Sequence, residues 1–493
     1  MSNPLKFLAF DLGAESGRAV VGLLDGSTLR LEEVHRFANE PVWLNDGLHW
    51  DVLRQLHEMK RGFRACAQAH GTDISGVGVD TWGVDFGLLD RDGGLLANPF
   101  HYRDSRTNGM LEEAFKRVPR GEIYEQTGIQ FMQLNTLYQL LALTISKSPL
   151  LDVADRLLFM PDLFNYWFTG EKLSEYTIAS TSGFYDPREG DWSRSLLQRL
   201  RISTCFLADV VRPGHVIAPL RQAFAEEVGL PQIPVIAPAT HDTGSAVAAV
   251  PATGKDHAYL SCGTWALLGV ELDAPLINEK AMDLNFTNEG GVADTFRFLK
   301  NMSGLWLVQE CRRQWAREGE DLSYSELTDM AKASEPFEYL VDPDAALFVT
   351  PGDMPARIVE FCRNGGQAAP QTKGAIIRCA LDSIALKYRY VLGCLEGLVG
   401  RRLEPIHIVG GGTQNRLLCQ LTADVTGRSV IAGPIEATAI GNILLQAIAR
   451  GEIGSLAEGR EIVRRSFPMI TYEPGPDSRM EGAWIEFCRI CNC

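Results

Sequence analysis

The stretch from Leu5 to Gly26, LKFLAFDLGAESGRAVVGLLDG, reads as strand, short polar turn, strand. It sets a carboxylate, Asp11, at the mouth of a glycine-containing turn, where backbone N–H groups would otherwise invite an anion. No Gly-Lys-Ser/Thr follows, so the turn is not a Walker loop. Gly13 and Gly17, with a strand after them rather than a helix, do not make the dinucleotide fingerprint either. A hairpin turn carrying Ser16 and Arg18 can still aim successive N–H groups at phosphate oxygens. Asp11 fits such a site if a Mg²⁺ stands between it and the phosphates, because hard cations take oxygen ligands, often through water. A solvent-facing hairpin with Asp11 bonded to the turn backbone is the alternative.

The same pattern returns at residues 258–272, AYLSCGTWALLGVEL, with Gly263 matching Gly13, as a duplicated chain would have it. After each hairpin, helical and strand periodicities alternate, which predicts packed α/β units. In the first half, residues 51–70 put Val52, Leu53, Leu56, Met59 and Phe63 on one helical stripe behind an Asp51 N-cap, and ISGVGVD at 74–80 is a strand. In the second, residues 372–400 predict a long helix and IHIVGGG at 406–412 a strand into a turn. A helix over 415–427 stops at Gly427, and RSVIAGP with EATAIGNILLQAIARGE repeats the strand-helix step. Pro, Gly and charge interrupt the apolar pattern at 250–257, the expected domain boundary.

The 493 residues exceed the roughly 250–300 that one core serves, so two domains or more are expected. A 45% hydrophobic, 22% charged composition is that of a globular protein, with no apolar run of membrane-spanning length. Strand pattern begins within a few residues of Met1 and leaves no room for a secretory signal, which predicts the cytoplasm. A net charge of −15 without a block of Lys or Arg argues against nucleic-acid and anionic-membrane partners. Eleven scattered cysteines, an odd number, exclude a complete disulfide framework and predict reduced thiols. The Cys488, Cys491, Cys493 tail lacks a second ligand pair for a metal.

Three further stretches carry chemistry. VIAPATHDTGSAVAAV (235–250) runs as a strand and stops at His241, Asp242, Thr243 and Gly244 before a small-residue helix. A carboxylate at such a junction can take a hydroxyl proton as phosphorus is attacked; alternatively Asp242 or Thr243 simply caps the helix. His241 can bond a sugar hydroxyl or be a satisfied buried imidazole. In IVGGGTQN, Gly410, Gly411 and Gly412 let a flat ligand or phosphate approach the backbone and a helix start near Asn415. VDTWGVDF sets Asp80, Gly83 and Asp85 at a strand end, where open α/β sheets face their ligands, though a β-hairpin corner reads the same way.

Taken in order, DLGAESGR, GVDTWGVDF, YRDSRTNG, GIQF, NTLYQL, THDTGSAV, YLSCGTWALLG, TNEGG, GLWL, IVGGGTQN and VIAGPIEA make the chain resemble the FGGY carbohydrate kinases, from about Leu8 to about Pro468. The resemblance implies an α/β fold of two actin-like, ribonuclease H-like ATPase domains, each on a five-stranded mixed sheet, closing an interdomain cleft over ATP, Mg²⁺ and a ketose. It places an N-terminal domain with sugar site and base at 1–251 and a nucleotide-binding domain at 252–455. The remainder, 456–493, can pack back on the first. The matching positions imply Asp242 as base; Gly83, His241, Asp242, Thr243 and Asn301 as sugar contacts; Ala14, Glu15, Ser16, Gly17, Arg18, Thr264, Gln309 and Gly411 as nucleotide contacts; and Asp11 as the metal-linked carboxylate. Asp11 and Asp242 are expected to meet across the cleft between the lobes. The reaction implied is phosphorylation of L-rhamnulose to L-rhamnulose 1-phosphate, with L-fuculose as the alternative ketose and a non-catalytic sugar sensor as the rival class. Trp82 and Phe86 are candidates for an apolar wall against a 6-deoxy methyl group. Glu15 is an unexpected charge in the phosphate turn, either pointing away or tuning nucleotide affinity.

Overall fold

The opening hairpin forms as its pattern requires: Leu5–Leu12 and Ser16–Leu24 pair antiparallel, from Leu5 opposite Leu24 to Leu12 opposite Gly17. In the computed structural model, which describes residues 4–491, Leu5–Leu12 also pairs in parallel with Gly76–Thr81, and Ser16–Leu24 pairs with Leu29–Ala38. Pro234–Ala237 and His215–Pro219 complete the sheet beyond Gly76–Thr81. The strand Leu5–Leu12 is buried on both faces, which is why its sequence is a nearly continuous apolar run rather than an alternation. Gly17 is demanded by packing: a Cβ there would stand 2.2 Å from the Phe37 ring.

Side chains alternate faces along a strand, so register decides what meets what. Phe10 points at the helix Val52–His70, with ring centroids of Phe10 and Phe63 4.8 Å apart. Asp11 therefore points to the opposite face, where the helix Ala437–Ala449 lies and its Gln446 Nε2 donates to the Leu8 carbonyl at 3.0 Å. Asp51 caps the first of these helices as expected, accepting from the Arg54 N–H at 3.2 Å. Its buried stripe differs from the expected one, because Leu53 is 59% exposed while Gln55 and Glu58 are buried. Both polar residues find partners within the fold: Gln55 donates to Asn39 Oδ1 at 2.6 Å, and Glu58 pairs with His35 at 2.7 Å.

The chain divides into two units. The first takes residues up to Pro251, Glu271–Phe298 and Glu436–Phe467; the second takes Ala252–Val270, Leu299–Ile435 and residues from Pro468 onward. Segments 271–298 and 436–467 thus join the first unit instead of the contiguous ranges expected, because the helix Ala437–Ala449 buries its apolar face against the first unit's central strands. The first unit's sheet has six strands, not five, since His215–Pro219 adds an antiparallel edge strand.

In the second unit, Ala258–Cys262 pairs antiparallel with Trp265–Leu272 and parallel with Ile406–Val409, the arrangement seen around Leu5–Leu12. Phe296–Ser303, Val430–Ala432 and Ile470–Tyr472 extend this sheet, again beyond five strands. The 27-residue helix Lys373–Val399, capped by Thr372, fills its interior. The helix Arg416–Thr426 starts from an Asn415 cap and stops at left-handed Gly427. Among the described residues no helix is long and apolar enough to cross a membrane.

Candidate functional site

Three neighbouring strands of the first unit place Arg18, Asp11 and Asp80 in one cross-strand row, since Asp11 is the register partner of both others. The Arg18 guanidinium bonds Asp11 Oδ2 on one side and Glu436 Oε2 on the other. Asp80 is fully buried and accepts from Asn442 Nδ2 at 2.6 Å, leaving its Oδ1 without a hydrogen-bond partner. Burial pushes the Asp80 pKa well up, and the Asp11 and Asp242 carboxylates push it further, against the Asn442 hydrogen bond and Arg18. Asp11 thus faces Arg18 rather than only its turn backbone. Glu15 is exposed.

The next strand end brings in the second carboxylate. The Thr81 N–H donates to the Thr240 carbonyl at 2.9 Å, and Thr81 bridges His241. His241 occupies the N-cap position and Asp242 opens the helix Asp242–Ala248. Asp242 Oδ1 accepts from the N–H of its neighbour Thr243 at 2.5 Å and from the Thr243 hydroxyl at 3.1 Å, without capping the helix; neither bond uses Oδ2. Its side chain keeps 29% of its surface open. Burial raises the Asp242 pKa; His241 opposes the rise, and Asp11 adds to it. The Asp11 carboxylate thus bears on Asp242 from two strands away, with Gly76–Thr81 between their strands. Both carboxylates belong to the first unit, within the 1–251 range expected for the N-terminal domain.

Glu175 holds this junction from behind. Fully buried, it accepts from the N–H and hydroxyl of Thr177 at 2.8 and 2.5 Å, from the Ile178 N–H at 3.3 Å, and from the N–H and hydroxyl of Thr240 at 3.0 and 2.7 Å. Thr177 Oγ1 in turn accepts from the His241 N–H at 3.2 Å. Gly83 lies over the imidazole: a Cβ there would sit 3.2 Å from His241 Nε2 and 3.5 Å from Thr181 Oγ1, so glycine keeps that edge of the ring open.

Asp85 organises the aromatic side. Its Oδ2 accepts from Trp50 Nε1 at 2.6 Å, Trp82 Nε1 at 3.0 Å and the Tyr102 N–H at 3.2 Å, while Oδ1 accepts from Gln139 at 2.9 Å. Burial lifts its pKa to about 6 against those bonds. Trp82 stacks on Trp50 with centroids 4.1 Å apart. Phe86 packs instead into the hydrophobic cluster of Tyr138, Leu141, Phe159 and Trp192, so it serves the core.

The second unit carries Thr264, Asn301, Gln309 and Gly411. Thr264 lies in the turn of its hairpin, and its carbonyl accepts from the Gly304 N–H at 3.1 Å. Gln309 sits on the helix Trp306–Arg317 with Oε1 buried and lacking a hydrogen-bond partner. Asn301 is half-buried on Phe296–Ser303. The glycines of IVGGG divide their roles: a Cβ on Gly412 would strike Cys262 Sγ at 2.3 Å, whereas nothing lies within 4 Å of one on Gly411.

Ala14 lies in the first unit's hairpin turn, while Ser16, Gly17 and Arg18 open the strand that follows it. Among the described residues no three His, Cys, Asp or Glu side chains converge to hold a metal. The ten described cysteines are free thiols; Cys362 and Cys379 lie side by side, hydrogen-bonded and unlinked, and Cys493 lies outside the described residues. Glu175, Glu289, Arg297, Glu436 and Asn442 escaped the sequence reading. Glu289, inside TNEGG, and Glu436, inside VIAGPIEA, carried a sequence signal.

The model of the N-terminal domain of the FGGY family of carbohydrate kinases matches residues 6–249, and that of the C-terminal domain matches 258–450. A rhamnulokinase of Bacteroides thetaiotaomicron is 44% identical over 481 residues, covering 98% of each chain. One of Oceanobacillus iheyensis is 41% identical, covering 94% of this chain and 97% of the relative. Among solved structures, the ligand-bound xylulose kinase of Lactobacillus acidophilus superposes with a TM-score of 0.81 at 17% identity, covering 99% of this chain and 98% of that one. With matches that span both halves and a two-unit α/β fold shared with sugar kinases, the chain belongs to the FGGY family of carbohydrate kinases, ATP-dependent enzymes of actin-like fold.

Proposed function

We propose that this kinase transfers the γ-phosphoryl group of ATP to the 1-hydroxyl of L-rhamnulose, with Asp242 as the base. The observation that carries the reading is Asp242 itself, a rigidly seated carboxylate with an open edge and a raised proton affinity, beside a neutral-capable imidazole. Phosphoryl transfer asks little covalent chemistry of a protein; it asks for positioning, charge neutralisation and a proton acceptor. Asp242 takes the hydroxyl proton, and Gly83, His241, Thr243 and Asn301 orient the sugar. The 41–44% identity to rhamnulokinases supports the choice of ketose.

Arg18 and the turn from Ala14 to Gly17 suit the phosphates, while Thr264, Gln309 and Gly411 suit the rest of the nucleotide. The unpartnered Gln309 Oε1 and the open face of Gly411 are what a ligand-binding surface leaves. A Mg²⁺ would enter with the triphosphate. No three acidic side chains converge there, so the fit is a single carboxylate, Asp11, which would hold the ion through water beside Arg18. When bound, the ion would neutralise charge on the phosphoryl oxygens.

An ADP-release assay over L-rhamnulose, L-fuculose, L-ribulose and L-xylulose tests the substrate. The highest kcat/KM is expected for L-rhamnulose, and a clear preference for L-fuculose would overturn that choice.

A further inference from the structure

Behind His241 lies an arginine with no solvent-exposed surface. Arg297 sits on Phe296–Ser303, donates from Nε to the Gly290 carbonyl at 2.8 Å and pairs through Nη1 with Glu289 Oε2 at 3.2 Å. Its Nη2 lies 3.1 Å from His241 Nδ1. A guanidinium has five N–H donors and no acceptor, so at this contact Nδ1 must be the acceptor and cannot carry a proton. The rival partner for Nδ1 is Glu289 Oε2. It stands farther, at 3.4 Å, beyond the usual N–H···O range, and its contact with Arg297 Nη1 at 3.2 Å is an ion pair without a hydrogen bond. An imidazolium would drive a second N–H into the guanidinium.

The proton of a neutral His241 therefore resides on Nε2. That nitrogen is 3.5 Å from Asp242 Oδ1 and faces the space that Gly83 leaves open. In the opposite tautomer an Nε2 lone pair would confront the Asp242 carboxylate. We propose that Arg297 is a positioning residue that fixes His241 as its Nε2–H tautomer, so that the ring offers a donor to a ketose oxygen and leaves proton abstraction to Asp242 alone. The sugar half of this statement rests on the kinase reading above; the tautomer does not.

The test uses full-length protein labelled with ¹⁵N-histidine, with His241→Asn assigning the ring resonances by their loss. Long-range ¹H–¹⁵N spectra at neutral pH are expected to show Nε2 protonated and Nδ1 bare, and Arg297→Met to introduce the Nδ1–H form. In the same variant the ketose KM should rise about 10-fold, the worth of one buried hydrogen bond, with kcat changed less than about threefold. Nδ1 found protonated in the wild type overturns the proposal, as does a tautomer unaltered by Arg297→Met. Should that variant fail to fold, the wild-type spectrum still decides the tautomer. Arg297→Lys, which keeps the charge and loses the fork, then tests the fixing role through the same resonances. A protein showing Nε2–H yet phosphorylating no ketose would remove the kinase reading and leave the tautomer standing.

Discussion

Asn442 donates from Nδ2 to Oδ2 of Asp80 at 2.6 Å, a bond between residues 362 positions apart that joins the helix Ala437–Ala449 to the strand beside Asp11. Asp80 has no solvent access and its other oxygen has no hydrogen-bond partner, so this amide is its chief neutral stabiliser. Replacing Asn442 with Leu strands a buried carboxyl group, and such losses cost about 1–3 kcal/mol. A melting temperature lowered by several degrees in calorimetry is expected; an unchanged one would show that Asp80 is satisfied without the amide.

Asp85 titrates in an accessible range. Its folded pKa, about 6, lies above the ordinary 3.8, so the folded state binds that proton more tightly than the unfolded chain. The stability this contributes is present in full below 3.8 and is lost as pH rises through about 6. Between pH 5 and 7 the wild type should lose about 1 kcal/mol relative to Asp85→Asn, whose side chain does not titrate. Melting temperatures of the two proteins, compared at both pH values, give the difference directly. A gap independent of pH would place the Asp85 titration elsewhere.

The opening hairpin, its Asp11 and the strand-to-helix junction of Asp242 were legible because each is a local pattern whose period and turn residues lie within about 15 positions. The stripe on residues 52–70 was misread at Leu53 for the opposite reason. Gln55 and Glu58 are buried because Asn39 and His35 meet them, and those partners belong to a different strand and its loop. Arg297, Asn442 and Glu175 share that fate: a buried polar residue looks like any surface polar residue until its distant partner is known. That Asp11 bears on Asp242 depends on strands from distant parts of the chain lying side by side. Register between Leu5–Leu12 and Gly76–Thr81 cannot be read from either strand alone.

Where the helices Asp242–Ala248 and Ala437–Ala449 meet, Gly441 leaves no room for a side chain: a Cβ there would lie 1.8 Å from the Ser245 carbonyl oxygen. The obstacle is backbone and cannot swing aside, so Gly441→Ala must part the helices. Overpacking of this kind costs about 1–3 kcal/mol or more. Because one of the two helices begins with Asp242, kcat should fall together with the melting temperature. Loss of stability with full turnover would show that the junction holds Asp242 independently of this crossing.

Asp242→Asn separates binding from chemistry. The asparagine keeps the shape and can still accept from the Thr243 N–H through its carbonyl oxygen, so the local contact at the helix start survives. What disappears is the proton acceptor, whose share in general-base catalysis is about 100- to 10,000-fold in rate. Turnover is expected to fall by that range while calorimetric affinity for the ketose changes little. Asp11→Asn should behave differently, because Asp11 bonds Arg18, to which the proposed reading assigns the phosphates: its penalty is expected in the KM for ATP and in the Mg²⁺ concentration giving half-maximal rate. If both variants lost turnover equally with unaltered metal dependence, the two carboxylates would share one role, and the division between proton acceptor and phosphate-side holder would be wrong.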